Sequence, residues 1–300
     1  MYWLKRGQRG HMALDSGILL AVAAMVSWGV ADFLAKKAID QVGYKTSIVL
    51  NQTVAFLPIL IVAALFFKMP NFTPELAGIT VLAGISGVVG YVFFYRGFGK
   101  GNVSVVAPIT ASWSVITVLL AFFLFAEALT PLQIVGVIAV FIGVFFASTN
   151  FADLKKSIKR GNWSAGATDA LIAMVAWGIS YALLKPITSA VGPVMALFFL
   201  KILAVAALFS WTGVTKTKIS LPKKMIFLLI AVSGLLDFFA YLSFNMSLST
   251  QFVSVASAIV ATAPAITIAL AYVFLKERIV DNQKLGIIAI LVGLVLISLT

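Results

Sequence analysis

The chain contains no cysteine, only one histidine among its 300 residues, and few charges, at 11%. Without cysteine there are no disulfides, no thiolate nucleophile and no thiolate-held metal. His11 stands near the N-terminus with no clustered partner, so neither a histidine metal site nor histidine acid–base chemistry has a foothold. Acidic residues number 10 against 22 Lys and Arg, and no paired acidic motif falls within the apolar segments. No cofactor and no metal are expected. The excess positive charge sits at the ends of apolar runs, where it sets membrane orientation, so no nucleic-acid partner is expected either.

What the chain has is apolar mass. Hydrophobic residues make up 62% and mean hydropathy is +1.09, too apolar to assemble a surface of ordinary polarity in water. The bilayer is therefore the expected solvent. Stretches of the length needed to cross about 30 Å of hydrocarbon lie near 16–37, 46–67, 77–98, 103–124, 131–149, 165–186, 193–213, 224–247, 252–275 and 283–299. The first continues through Trp28 to Leu34 without a small-residue cleavage pattern, so it reads as a span, not a signal peptide. Met1–His11 reads as a leader-like or tag-like extension, with Met12 as an alternative start.

The ten stretches fall into two copies of five. Met25-Val26-Ser27-Trp28-Gly29, followed by Lys36, returns 149 residues later as Met174-Val175-Ala176-Trp177-Gly178, followed by Lys185. Val103-Ser104-Val105, Glu127, Gly136 and Gly143 return 150 residues later as Val253-Ser254-Val255, Glu277, Gly286 and Gly293. The expected fold is an all-α integral membrane protein of ten transmembrane helices. It is built as a first five-helix repeat over 13–150, a basic linker over 151–162 and a second repeat over 163–300. An odd number of spans per copy makes the repeats inverted. On the linker's side the loops carry 16 Lys and Arg, against 5 on the other. That bias puts the linker in the cytoplasm and both termini outside.

Charges in the middle of a span persist where they are paired, line water or act. Lys201, in the seventh span, and Asp237, in the eighth, are the two best placed. In the first copy, position 201 corresponds to Asn51 or Gln52. The functional reading is a midplane binding site, and the alternative is an ion pair that only fixes packing. Tyr241 and Asn245 continue the Asp237 stripe at helical spacing, and Tyr91 and Tyr95 form one in the third span. Trp28 and Asp32 form a stripe with Lys36 in the first span, and Trp177 and Tyr181 with Lys185 in the sixth. The lysines and Asp32 read equally as cavity lining or as interfacial snorkellers. The tryptophans read as cavity walls facing each other or as packing aromatics. Paired glycines in spans five and ten permit close helix approach. Pro108 and Pro264 interrupt spans four and nine as candidate hinges. Glu127 and Glu277 read as span-end caps.

Together, Trp-Gly in spans one and six, Pro264 thirteen residues before Glu277, Glu127 and Glu277 at span ends, and the following Gly-x6-Gly resemble the drug/metabolite transporter superfamily, in its ten-helix EamA-type members. The resemblance covers roughly 13–300, and its specificity lies in the doubling at constant offset. Ser114 departs from it, standing where a proline would match Pro264. Family members usually keep both termini in the cytoplasm, opposite to the charge count, which is followed here. The resemblance implies alternating-access transport, commonly export, of small polar or amphipathic metabolites such as amino acids. It implies a central cavity and a cell-membrane location, with the lipid bilayer as surroundings and protons as a candidate coupling ion. Two fused copies make a monomer sufficient. Two other classes remain: an intramembrane enzyme on a lipid-borne substrate, whose chemistry would rest on Asp237 or Asp32 alone, and an ion channel, for which no ring of like charge is present.

Overall fold

The computed structural model describes residues 16–100, 106, 109–126, 129–148, 166–275 and 281–298. Met1–His11, Pro108, Glu127, Glu277 and the 151–162 linker lie outside them. Among the described residues all regular structure is helical: α1 (Ser16–Phe66), α2 (Pro74–Lys100), α3 (Trp113–Phe125), α4 (Pro131–Ser148), α5 (Ala167–Val214), α6 (Lys224–Leu248), α7 (Val253–Val260), α8 (Ala263–Leu275) and α9 (Asp281–Ser298). Four of these, α1, α2, α5 and α6, are long and apolar enough to cross a membrane.

α1 and α5 run for 51 and 48 residues, more than twice what one crossing requires. Each is broken once, α1 at Gly43 (φ 77°, ψ 160°) and α5 at Gly192 (φ 80°, ψ 160°). Backbone of that kind is accessible almost only to glycine. The sequence predicts a loop between 37 and 46, whereas the helix continues to the glycine on both sides and reverses there. Nothing within 4 Å would meet a Cβ at either position, so conformation and not space selects glycine. Pro193 opens the second limb of α5, where a missing N–H leaves no helical bond unmade.

Helices of one half pack on helices of the other. α1 packs against α6 and α5 against α2, α3 lies on α5 as α8 lies on α1, and α4 crosses α9. The contacts repeat in detail. Thr117 donates to the Gly178 carbonyl at 3.0 Å and Thr267 to the Gly29 carbonyl at 2.9 Å. Ser180 donates to Ala83 O at 2.8 Å and Ser233 to Ala31 O at 2.9 Å. A Cβ at Gly143 would stand 2.7 Å from the Ile290 amide nitrogen, and one at Gly293 2.7 Å from Gly136 O, so the expected glycine packing of α4 on α9 is present. Such exchange of equivalent partners is what a pseudo-two-fold axis between the halves requires.

Polarity is distributed inside-out relative to a water-soluble protein. Lys201, Asp237, Asn51, Gln52 and Asn245 are buried, while Phe123, Leu65, Phe66, Val214 and Met225 stand at least two-thirds exposed. Outward apolar side chains on this scale match a hydrocarbon solvent.

Gly43→Ala and Gly192→Ala should each destabilise the protein by about 1–3 kcal/mol through backbone strain. Gly78→Ala, in the interior of α2 with open space around it, should not. Thermal unfolding in detergent checks this, and equal stability of all three variants would remove the role given to the breaks.

Candidate functional site

A buried carboxylate is tolerated only when its oxygens are satisfied. Asp237, on α6, is 4% exposed and is bonded on both oxygens. Its Oδ1 accepts from Trp28 Nε1 at 2.9 Å and Tyr91 OH at 2.8 Å. Its Oδ2 accepts from Gln52 Nε2 at 3.2 Å and from Lys201 Nζ at 2.5 Å. The donors come from both limbs of α1, from α2 and from the second limb of α5, so one carboxylate ties four helical segments to a fifth. Lys201, 2% exposed, also donates to Gln52 Oε1 at 2.8 Å. Its ammonium lies 4.9 Å from the Tyr241 ring centroid and 5.3 Å from that of Tyr91, positioned for attraction by both faces. Next to it, Asn51 donates to Ser233 Oγ at 2.9 Å.

Aromatic rings surround this pair. Trp28 meets Tyr241 edge-on at 5.5 Å, Tyr181 at 5.9 Å and Phe244 at 5.9 Å. Tyr181 lies 4.4 Å from Trp113, and Tyr91 meets Trp177 edge-on at 5.3 Å. Between α2 and α5 a small half-open recess, with enclosed room for about one water molecule, is lined by Gln52, Gly84, Gly87, Tyr91, Ser180, Lys201 and Tyr241.

The structure thus gathers Trp28, Tyr91, Tyr181, Lys201, Asp237 and Tyr241 at one place. Both Trp28 and Trp177 point inward, at 8% exposure. They flank Tyr181, whose ring stands 5.9 and 6.3 Å from theirs. Trp177 Nε1 donates to the Gly87 carbonyl at 3.3 Å. Three predicted residues lie off this cluster's hydrogen bonds. Asn245 donates to Tyr241 O at 2.9 Å and accepts from Thr188 at 2.8 Å, tying α6 to α5. Tyr95 is buried against Phe94. Asp32 is half-buried and has no hydrogen-bond or ion-pair partner among the described residues. Lys36 bonds Asp40 at 2.6 Å and the Phe98 carbonyl at 3.3 Å, and Lys185 bonds the carbonyls of Leu248 and Gln251 at 2.7 and 2.6 Å. Both lysines therefore cap helix ends. Pro264 is the second residue of α8, directly after the turn at Ala261–Thr262 that separates it from α7.

Other residues were not singled out by the sequence. Asp169, 3% exposed in the first turn of α5, takes Arg96 through Nε at 3.1 Å and Nη2 at 2.5 Å, with Lys100 at 3.2 Å. Its only sequence signal is an acid inside an apolar run. Gln52 could be picked over Asn51 because the 149-residue offset maps Lys201 onto it. Trp113 and Phe244 carry no such signal.

Comparison with known proteins adds a family. The profile of the EamA-like transporter family matches twice, over 15–149 and 164–299. An uncharacterised transporter of Archaeoglobus fulgidus is 25% identical over 292 residues, covering 94% of this chain and 98% of that one. An uncharacterised protein of Methanocaldococcus jannaschii is 26% identical over 135 residues, 45% of this chain but 98% of its own, so it has the length of one repeat. A solved crystal structure of a protein at 16% identity superposes with a TM-score of 0.76 over 96% of this chain and 99% of its own, a likeness of fold.

Removing one member of a buried ion pair strands the other, at a cost of about 3–5 kcal/mol, whereas removing both relieves most of it. Asp237→Asn should therefore unfold at lower temperature than the Asp237→Asn, Lys201→Met double variant. Strictly additive losses would mean that the two charges do not interact.

Proposed function

The chain belongs to the EamA-like transporter family, and from that premise we propose that it is an alternating-access secondary transporter exporting small polar or amphipathic metabolites, such as amino acids, across the cell membrane. The observation that carries the reading is the Asp237–Lys201 pair, held by donors from both halves beside an aromatic-lined recess. Ten spans follow when α1 and α5 each count as two crossings at Gly43 and Gly192, and α7 with α8 count as one interrupted crossing. The working units are then the repeats 13–150 and 163–300, joined by the 151–162 linker, with a monomer as the complete unit. Trp28, Tyr91, Trp177, Tyr181, Lys201, Asp237 and Tyr241 line the path of the substrate, with Asp32, Tyr95 and Asn245 on its flanks.

Alternating access needs the two halves to rearrange about a fixed centre. The interrupted α7–α8 crossing, with Pro264, supplies one hinge, and Pro108 the other. Protons are the candidate coupling ion, since the interior holds carboxylates that can bind them. An enzyme reading has only isolated carboxylates to work with, and a channel reading lacks a ring of like charge. The Lys and Arg bias supports a topology with both termini outside the cell.

Saturable counterflow in proteoliposomes, run over amino acids, nucleosides, sugars and cationic drugs, is the expected behaviour, and its absence for the whole panel would refute the transporter mechanism. Trp28→Leu or Trp177→Leu should raise the half-saturating substrate concentration more than it lowers thermal stability, while packing tryptophans would give the reverse order. For orientation, single cysteines at Ser157 and Thr300 are probed with an impermeant maleimide on intact cells. Labelling at 300 and protection at 157 is expected, and the opposite pattern would invert the topology.

A further inference from the structure

The internal pseudo-symmetry contains one conspicuous imbalance. Offsets of 149 and 150 residues pair Trp28 with Trp177, Gln52 with Lys201 and Tyr91 with Tyr241, and they pair Asp237 with Gly87. The four donors on the Asp237 carboxylate are Trp28, Tyr91, Gln52 and Lys201. Their equivalents are Trp177, Tyr241, Lys201 and Gln52, and these stand around Gly87, which has no side chain. Gln52 and Lys201 are each other's twins and touch at 2.8 Å, so the axis passes between them and both belong to both arrangements.

At Gly87 the structure has the small half-open recess, lined by Gln52, Lys201, Tyr241, Tyr91 and Ser180. Of the three N–H groups of Lys201, two are used by Asp237 and Gln52, and the third has no acceptor among the described residues. Trp177 Nε1 reaches the Gly87 carbonyl at 3.3 Å, a longer bond than the 2.9 Å its twin Trp28 makes to a carboxylate. Tyr241 and Ser180 both line the recess, and the Tyr241 hydroxyl can rotate its O–H towards an acceptor placed there.

We propose that the recess beside Gly87 is a carboxylate subsite, in which the acid group of a small solute takes the place that Asp237 fills on the other side of the axis. The chain thus carries both an occupied and an unoccupied version of one anion cradle. The subsite rests on the transporter reading for its purpose and names a substrate class for it, the small carboxylates. A guest there shares the Lys201 ammonium with Asp237, which keeps the affinity modest, as export requires release.

Equilibrium binding to the purified full chain tests this without requiring flux, so its failure is distinct from a failure of counterflow. Acetate is the probe, with acetamide and chloride at matched concentration as controls, and the readout is the midpoint of thermal unfolding. Acetate should raise it saturably and the controls should not. Gly87→Asp supplies the missing carboxylate from the chain itself. A Cβ at Gly87 meets Ser180 Oγ at 3.1 Å, a contact shared by the aspartate and alanine variants and eased by a small χ1 adjustment of Ser180, whose Oγ bonds Ala83 O. The aspartate variant should be at least as stable as Gly87→Ala, and its acetate midpoint should move by about tenfold or the response vanish. No saturable acetate effect on the parent, an equal effect of acetamide, a parent-like response in Gly87→Asp, or a Gly87→Asp protein that folds less well than Gly87→Ala would each overturn the subsite.

Discussion

The structure depends on the cost of holding a charged pair away from water. An unpaired carboxylate or ammonium inside a hydrocarbon-thick protein is unfavourable by several kcal/mol. Asp237 and Lys201 escape that cost only because Trp28 and Gln52 from α1 and Tyr91 from α2 come within hydrogen-bond distance. Neither half could assemble this set alone. The pair therefore specifies how the halves meet, and the exchange of partners, α1 on α6 and α5 on α2, is the packing that delivers those donors.

Around the pair the two halves are nearly equivalent in backbone and unequal in charge. Backbone features recur in pairs: the breaks at Gly43 and Gly192, the threonine bonds to Gly29 and Gly178, and the lysine caps from Lys36 and Lys185. The buried charges do not recur. Asp237 faces Gly87, Lys201 faces Gln52, and the Arg96–Asp169–Lys100 cluster at one end of the bundle has Met246, Leu20 and Thr250 as its counterparts. A duplicated backbone allows two related arrangements of the halves, and unequal charge gives the two a different energy. In the proposed alternating-access cycle this inequality is what would set a preferred resting orientation.

The sequence carries depth along a helix better than direction around it. The offset between copies picked out Trp28 and Trp177, and mid-span position picked out Lys201 and Asp237; the two charges meet, while the two tryptophans stand on either side of Tyr181. Yet the same stripes put Asn245 with Asp237, whereas Asn245 turns to Thr188, and Tyr95 with Tyr91, whereas Tyr95 packs on Phe94. A drift of about 40° every four residues, and so about 80° from Asp237 to Asn245, is enough to send a side chain to another neighbour. The sequence places span ends on both sides of Gly43 and Gly192 but reads loops there, because it does not show that a single glycine in positive φ reverses the chain while helix continues up to it on both sides. Asp169 was hidden because its partners, on α2, are 73 residues away for Arg96.

The central claim is that the halves exchange arrangements about the Asp237–Lys201–Gln52 centre. Exposed residues at the two ends of the bundle form equivalent pairs, Gln41 with Gly99 and Ala190 with Ser249. Spin labels on each pair, read by pulsed dipolar distance measurement in lipid with and without a transported solute, report the two ends separately. The account predicts two distance populations at each end that shift in opposite directions, one end closing as the other opens. Distances that stay single-valued at both ends, or that lengthen at both together, would contradict it.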